Sequence, residues 1–128
     1  MASPVKEIPA REQAQILGLG RAQIGAALFL FPSMSARVWL GAPAKGSVSR
    51  LTMRALGARE VVLGIGTLMA LEGRGEPSAW IEAGALCDVA DTYLVATTRG
   101  IPLHRRILSI AVTAGAAYFA IKIAEELD

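Results

Sequence analysis

The chain has 128 residues, of which 53% are hydrophobic and 19% charged, and its mean hydropathy is +0.45. This composition excludes a disordered chain, and the single cysteine, Cys87, excludes a disulfide scaffold within the chain. The net charge of +2 is too small to indicate nucleic-acid binding, so no nucleic-acid partner is expected. The composition predicts one all-α domain over residues 1–128, and a lipid bilayer is the expected surrounding.

The first predicted helix follows a short leader. Residues 1–11 contain two prolines and mixed charges, which predicts an irregular segment, and they lack the pattern of a cleaved signal peptide. Residues 12–31 are mostly apolar, and Pro32 ends the run. Twenty helical residues span about 30 Å, which is the thickness of a bilayer core.

Three more helices of similar length are predicted, over residues 48–71, 78–98 and 102–124. Short turns separate them, whereas residues 33–47 are expected to form a longer loop. Together the four segments predict an up-down four-helix transmembrane bundle.

Two of these helices lack the polar stripe of a soluble amphipathic helix, because residues 61–71 and 107–121 are apolar or small on every side. The chain is therefore expected to be a multi-pass membrane protein. The loops of one side carry six basic residues: Arg37, Lys45, Arg50, Arg99, Arg105 and Arg106. The other side carries four, with many acids: Lys6, Arg11, Arg74 and Lys122. This bias predicts that both termini lie outside the cytoplasm.

Five ionisable residues lie at the middle of three of these helices: Arg21, Arg59, Glu60, Asp88 and Asp91. Thr113 lies at the same depth of the fourth helix. A charge at the centre of a bilayer costs about 2.5–3.5 kcal/mol, so five of them are tolerable only if they face inward and form pairs. We therefore predict a buried cluster in which the two arginines face the three carboxylates.

The helix faces that carry these charges also carry small residues. On the first helix the face consists of Ala14, Gly18, Arg21, Ala22 and Gly25. On the second it consists of Met53, Gly57, Glu60, Gly64 and Thr67, and on the third of Gly84, Asp88 and Asp91. Small residues allow helices to approach closely within a membrane, so these faces are expected to be the helix contacts.

Several functions are compatible with such a cluster. It could be a purely structural network that fixes the register of the helices. It could form a polar pocket for a lipophilic ligand, with Arg21, Arg59 and Thr113 as ligand-binding residues, or stabilise a homo-oligomer or a larger membrane complex.

A membrane enzyme is the second hypothesis, with acid–base chemistry such as isomerisation, cyclisation or epoxide opening on a lipophilic molecule. Asp88 or Asp91 would be the general acid and Glu60 the base, while the arginines would stabilise anionic charge. Two positive charges against three negative ones predict that one carboxyl keeps a proton. A third hypothesis is a proton-coupled transporter subunit that oligomerises.

No metal or cofactor is predicted. One cysteine and one histidine provide no ligand spacing for zinc, haem or an iron–sulfur cluster. The glycines at positions 18, 20 and 25 lie inside a predicted helix with no preceding strand, so they indicate helix packing and no dinucleotide site.

Two segments carry a resemblance to known proteins: Leu56–Glu60, which runs into Gly64–Gly66, and Gly84–Asp91. Over residues 14–120 the chain resembles a domain-of-unknown-function family of small four-helix bacterial membrane proteins that is frequent in actinobacteria. The resemblance implies a membrane fold in the bacterial cytoplasmic membrane and the same five charged residues, and it implies no activity. Cys87 departs from the family pattern, in which a small or apolar residue is expected.

Overall fold

The computed structural model describes residues 7–128, and within that range it contains five helices and no strand. They are α1 (Ala10–Leu30), α2 (Pro32–Leu40), α3 (Gly46–Leu71), α4 (Pro77–Thr97) and α5 (Leu103–Leu127). The predicted all-α class is confirmed. The four predicted helices correspond to α1, α3, α4 and α5, with ends that differ by at most three residues.

The prediction of a loop over residues 33–47 is wrong in its first half, where α2 forms. Pro32 does end α1, but it also occupies the first turn of α2, where its fixed φ and missing N–H are favourable. Gly41 ends α2 in the left-handed conformation, with φ of 82°. The axes of α1 and α2 meet at 114°, so α2 lies across the end of the bundle.

The predicted leader needs a smaller correction. Ala10 and Arg11 already belong to α1, whereas residues 7–9 are not helical. Residues 1–6 lie outside the described part of the chain.

The long helices form two closely packed pairs, α1 with α3 and α4 with α5. At the end where α1 begins, one apolar cluster joins all four: Ala14, Leu71, Ile81, Ala85, Ala120, Ile123 and Ala124. At the other end the cluster contains Leu28, Ala36, Ala44 and Met53, which belong to α1, to α2, to the segment after α2 and to α3. The two pairs are thus joined directly at one end, and α2 stands between them at the other.

Small and polar residues fill the interior, while large apolar residues cover the outside. Of the fourteen buried apolar residues in the described range, eight are alanine. The largest fully buried side chains are Ile81, Thr67 and Ser109. Within residues 7–128, twenty-five large hydrophobic side chains are exposed, and they come from all five helices and the segments beside them.

Among the described helices, α5 is long and apolar enough to cross a membrane by itself. α1 and α2 meet the same criterion only when they are joined across their bend. The charged residues at the middle of α3 and α4 lower the hydropathy of those two helices. Hydropathy and length thus support one membrane-crossing helix, and the expectation of four remains a proposal.

Candidate functional site

Arg21 is the centre of the predicted cluster, and only 6% of its surface is exposed. It lies on the face of α1 that contacts α3, and its guanidinium binds carboxylates on two other helices. Nη1 donates a hydrogen bond of 2.8 Å to Oε2 of Glu60 on α3. The same nitrogen lies 3.3 Å from Oδ1 of Asp88 on α4, and Nη2 donates to Oδ2 of Asp88.

Arg59 makes the second set of ion pairs. Its Nη1 and Nη2 donate to Oδ1 and Oδ2 of Asp91, at 3.1 and 2.5 Å. Its Nη2 also lies 3.2 Å from Oε1 of Glu60. Arg59 and Glu60 are adjacent on α3, so their side chains diverge by about 100° around the helix. Glu60 can therefore reach α1 while Arg59 reaches α4.

The five charged residues form one continuous line, Asp88–Arg21–Glu60–Arg59–Asp91, which we call the ionic line. This confirms the predicted cluster of two arginines and three acids, although Arg59 and Asp91 are partly exposed and only Arg21, Glu60 and Asp88 are buried. All six carboxylate oxygens accept a hydrogen bond from a guanidinium nitrogen. With all three carboxylates ionised, the two arginines and three acids sum to a formal charge of −1.

Gly84 has no side chain, and the Arg21–Asp88 ion pair occupies the space that a side chain there would fill. A Cβ atom at this position would lie 2.9 Å from Nη2 of Arg21 and 3.0 Å from its Cζ. Gly84 lies one turn before Asp88 on the same face of α4, so the guanidinium lies over the bare backbone of that turn. This explains why the predicted face of α4 combines a glycine with two aspartates.

A cavity of about 430 Å³ lies between the two helix pairs, with the ionic line on one side and α2 on another. All five residues of the ionic line border it, together with Thr113 and Ser109. The rest of its wall is almost entirely apolar and includes Leu28, Leu40, Leu56, Leu94 and Val95. The cavity is therefore an apolar space with one charged wall.

The cavity reaches the outer surface of the bundle, because several residues that line it are exposed. Ile16 and Ile24 on α1, Leu94 on α4 and Val112 on α5 line it, yet 57%, 46%, 57% and 41% of their respective surfaces are exposed. Gly20, which lies between the two isoleucines, also lines the cavity, and a Cβ atom built on it would have no neighbour within 4 Å. The opening thus faces sideways, through the apolar surface of the bundle.

Thr113 lies in the cavity wall but outside the ionic line. Its Oγ1 lies 2.6 Å from Oγ1 of Thr92 and 3.0 Å from the carbonyl oxygen of Ser109, and its single proton serves the bond to Thr92 because Thr92 uses its own elsewhere. Thr92 in turn donates to the backbone carbonyl of Asp88 at 2.8 Å. The predicted depth of Thr113 thus agrees with the structure, and its link to the charged residues runs through Thr92.

Two cavity residues, Ser109 and Trp39, were not predicted as site residues. Ser109 is 2% exposed, and its Oγ donates to the carbonyl oxygen of Trp39 at 3.2 Å. Arg105 also donates to the carbonyl oxygen of Val38, so two side chains of α5 hold α2. The signal for Ser109 was present in the sequence, because it lies one turn before Thr113 on an otherwise apolar helix.

Comparison with models of known protein families found no match, and comparisons with curated proteins and with solved structures found no similar protein. The resemblance to the small four-helix membrane family therefore remains a prediction.

Proposed function

We propose that the protein is an integral membrane protein that holds a lipophilic small molecule between the ionic line and α2. The observation that carries this proposal is the cavity of about 430 Å³, whose wall is apolar except where the ionic line borders it. Ligand sites in proteins have this character, with volumes of roughly 300–1,000 Å³, mostly apolar walls and a few polar groups that orient the ligand.

The distribution of side chains supports a bilayer as the surrounding medium. Soluble monomers rarely expose large continuous apolar patches, whereas here exposed apolar side chains cover all five helices. The buried positions hold mainly alanine, glycine and paired charges, as is typical of helix contacts within membranes. The four long helices contain 21 to 26 residues, so each is about 32–39 Å long, enough to cross a bilayer core.

The charges outside the ionic line divide between the two ends of the bundle. At the end that holds α2, segments 31–58 and 92–112 contain no acid and seven basic residues: Arg37, Lys45, Arg50, Arg54, Arg99, Arg105 and Arg106. All acids outside the ionic line lie in segments 7–12, 72–82 and 125–128 at the opposite end. By the positive-inside rule the basic end faces the cytoplasm of a bacterial cell, and both termini lie outside it.

The geometry favours binding over acid–base catalysis. A general acid or base needs a carboxyl oxygen that is free to exchange a proton with the substrate. In the ionic line both oxygens of Glu60, Asp88 and Asp91 accept a hydrogen bond from a guanidinium group, so none of the three carboxyl groups faces the cavity without a charged partner. We therefore assign these residues to the wall of a binding site, and the sideways opening would admit a ligand directly from the bilayer.

Photolabelling with a small lipophilic aryl diazirine tests this proposal on the protein in lipid nanodiscs. Met53 is buried and lines the cavity, so its labelling reports a molecule inside, whereas exposed Met34 reports the surrounding lipid phase. Gly20→Leu adds a side chain where the structure has open space beside the cavity. We expect this variant to lose at least about four-fifths of the Met53 label and to keep the Met34 label.

Gly115→Leu is the matched control, because a Cβ atom at Gly115 also has no neighbour within 4 Å and Gly115 does not line the cavity. It should leave both labels unchanged. Absence of label on Met53, or equal Met53 labelling in the two variants, would contradict the binding proposal. Recovery of the protein as a soluble monomer without detergent would contradict the membrane proposal.

A further inference from the structure

We infer that the ligand of the cavity is a lipophilic cation, such as an amine or quaternary onium ion with apolar substituents. This inference rests on the proposed function and specifies the chemical class that the site takes. Three properties support it: the total charge of the cavity wall, the hydrogen bonds that the three carboxylates accept, and the position of the one negative charge that no arginine balances.

The total charge follows from the lining residues. The charged side chains around the cavity, within the described residues, are those of the ionic line, two cations and three anions. α2 and α5 contribute only apolar or neutral polar groups to the wall, Ser109 and Thr113 among them. The wall therefore carries one uncompensated negative charge.

A bound proton would balance this charge only by weakening an ion pair. Each carboxylate oxygen already accepts a hydrogen bond from an arginine, and a protonated carboxyl is a poorer acceptor because the bond loses its charge assistance. The apolar remainder of the wall provides little screening, and an uncompensated charge in such surroundings is unfavourable. A cation in the cavity supplies the missing positive charge and leaves all six hydrogen bonds in place.

The excess charge is accessible at one end of the ionic line. The line begins and ends with a carboxylate, and these two ends differ in exposure. Both carboxylates line the cavity, but the side chain of Asp88 is only 7% exposed, whereas that of Asp91 is 21% exposed, beside Arg59 at 32%. Trp39 lines the same cavity, and an indole is the most favourable aromatic partner for an organic cation. A cationic ligand should therefore lie near Asp91.

A negatively charged ligand has no comparable site in the cavity. An anionic ligand would add a second negative charge beside the first. The terminal nitrogens of the two arginines already bind carboxylates, so the one unpartnered buried donor that an anion would find among the described residues is Nε of Arg59.

Two ions of nearly equal shape and opposite charge test the inference: tetraphenylphosphonium and tetraphenylborate. Binding to the detergent-solubilised protein is measured by equilibrium dialysis, with Gly20→Leu as the baseline for non-specific uptake. We expect saturable binding of the phosphonium, at least about tenfold weaker in Asp91→Asn and unchanged in Glu126→Gln, which alters an exposed acid outside the cavity. Tetraphenylborate should bind no more to the wild type than to the baseline variant.

Saturable tetraphenylborate binding, or full phosphonium affinity in Asp91→Asn, would overturn the inference. If Met53 is still photolabelled in that case, the cavity stands as a binding site and only the charge preference fails. If Met53 is not labelled and neither ion binds, the proposed function itself fails. Should Asp91→Asn not fold, as judged by circular dichroism, the comparison of the two ions on the wild-type protein decides alone.

Discussion

Gly25 and Gly57 face each other where α1 crosses α3, with no room for a side chain between them. A Cβ atom on Gly25 would lie 2.5 Å from the carbonyl oxygen of Gly57, and one on Gly57 would lie 2.5 Å from that of Gly25. Gly18 and Gly64 form a second close contact seven residues away along each helix. The Arg21–Glu60 ion pair lies between the two contacts, so the glycines set the helix separation at which this pair forms.

Gly57→Ala should destabilise the protein, because the added methyl group meets backbone that cannot move without separating α1 from α3. Overpacking of this kind costs about 1–3 kcal/mol. The measurement is thermal unfolding in detergent, followed by circular dichroism. Gly115→Ala, on α5 with open space around it, should be neutral or stabilising by up to about 1 kcal/mol through helix propensity. Equal unfolding temperatures for the two variants would show that the contact is not tight.

The stability of Gly84→Ala should lie between those of Gly57→Ala and Gly115→Ala. Its added methyl group meets the guanidinium of Arg21, which is the end of a flexible side chain and can shift, although two carboxylates hold it. The same unfolding measurement should give the order Gly115→Ala, Gly84→Ala, Gly57→Ala from most to least stable. A Gly84→Ala variant as stable as Gly115→Ala would mean that Arg21 is not held at α4.

Arg21→Met should be strongly destabilising, by roughly 3–5 kcal/mol, because it leaves Glu60 and Asp88 as buried carboxylates without their main partner. Adding Asp88→Asn to this variant should restore part of the loss, since one of the two stranded charges is then removed. Arg50→Met changes an exposed arginine on α3 and should alter the free energy of unfolding by no more than about 0.5 kcal/mol. A loss no greater than that of Arg50→Met would contradict the buried network.

Trp39 should lie near the membrane surface, because α2 crosses the end of the bundle. The Trp80→Phe variant leaves Trp39 as the single tryptophan. In bilayers, lipids brominated near the headgroup should quench its fluorescence more than lipids brominated deep in the acyl chain. A variant with both native tryptophans replaced by Phe and with Val62→Trp, at an exposed position near the middle of α3, should show the reverse order. Deeper quenching of Trp39 than of the indole introduced at position 62 would contradict the proposed orientation.

The charged cluster could be predicted because it depends on quantities that a sequence contains. Counting residues from the ends of each apolar segment gives the depth of Arg21, Glu60 and Asp88. Helical periodicity then places each of them among small residues on a contact face. The high cost of an unpaired charge in an apolar medium leaves mutual pairing as the stable arrangement.

The order of the ionic line could not be predicted, because depth and face do not say which helices are neighbours. Glu60 is shared by both arginines only because α3 lies between α1 and α4 in the bundle. The cavity was also beyond a sequence argument, since it depends on how far the two helix pairs diverge. α2 was not predicted, because a proline at the end of one apolar segment is equally favourable in the first turn of a following helix, and Pro32 does both.

The apolar cluster that ties all four long helices together lies at one end of the bundle only, and the ionic line crosses its middle. On the far side of that line α2 lies between the helix pairs, so its position determines the width of the cavity. Ser109 and Arg105 hold α2 in place by donating hydrogen bonds to its backbone carbonyls. Substitutions in α2 can alter the size of molecule that fits while the ion pairs stay intact. Selection by size and selection by charge thus belong to separate parts of the chain and can change independently during evolution.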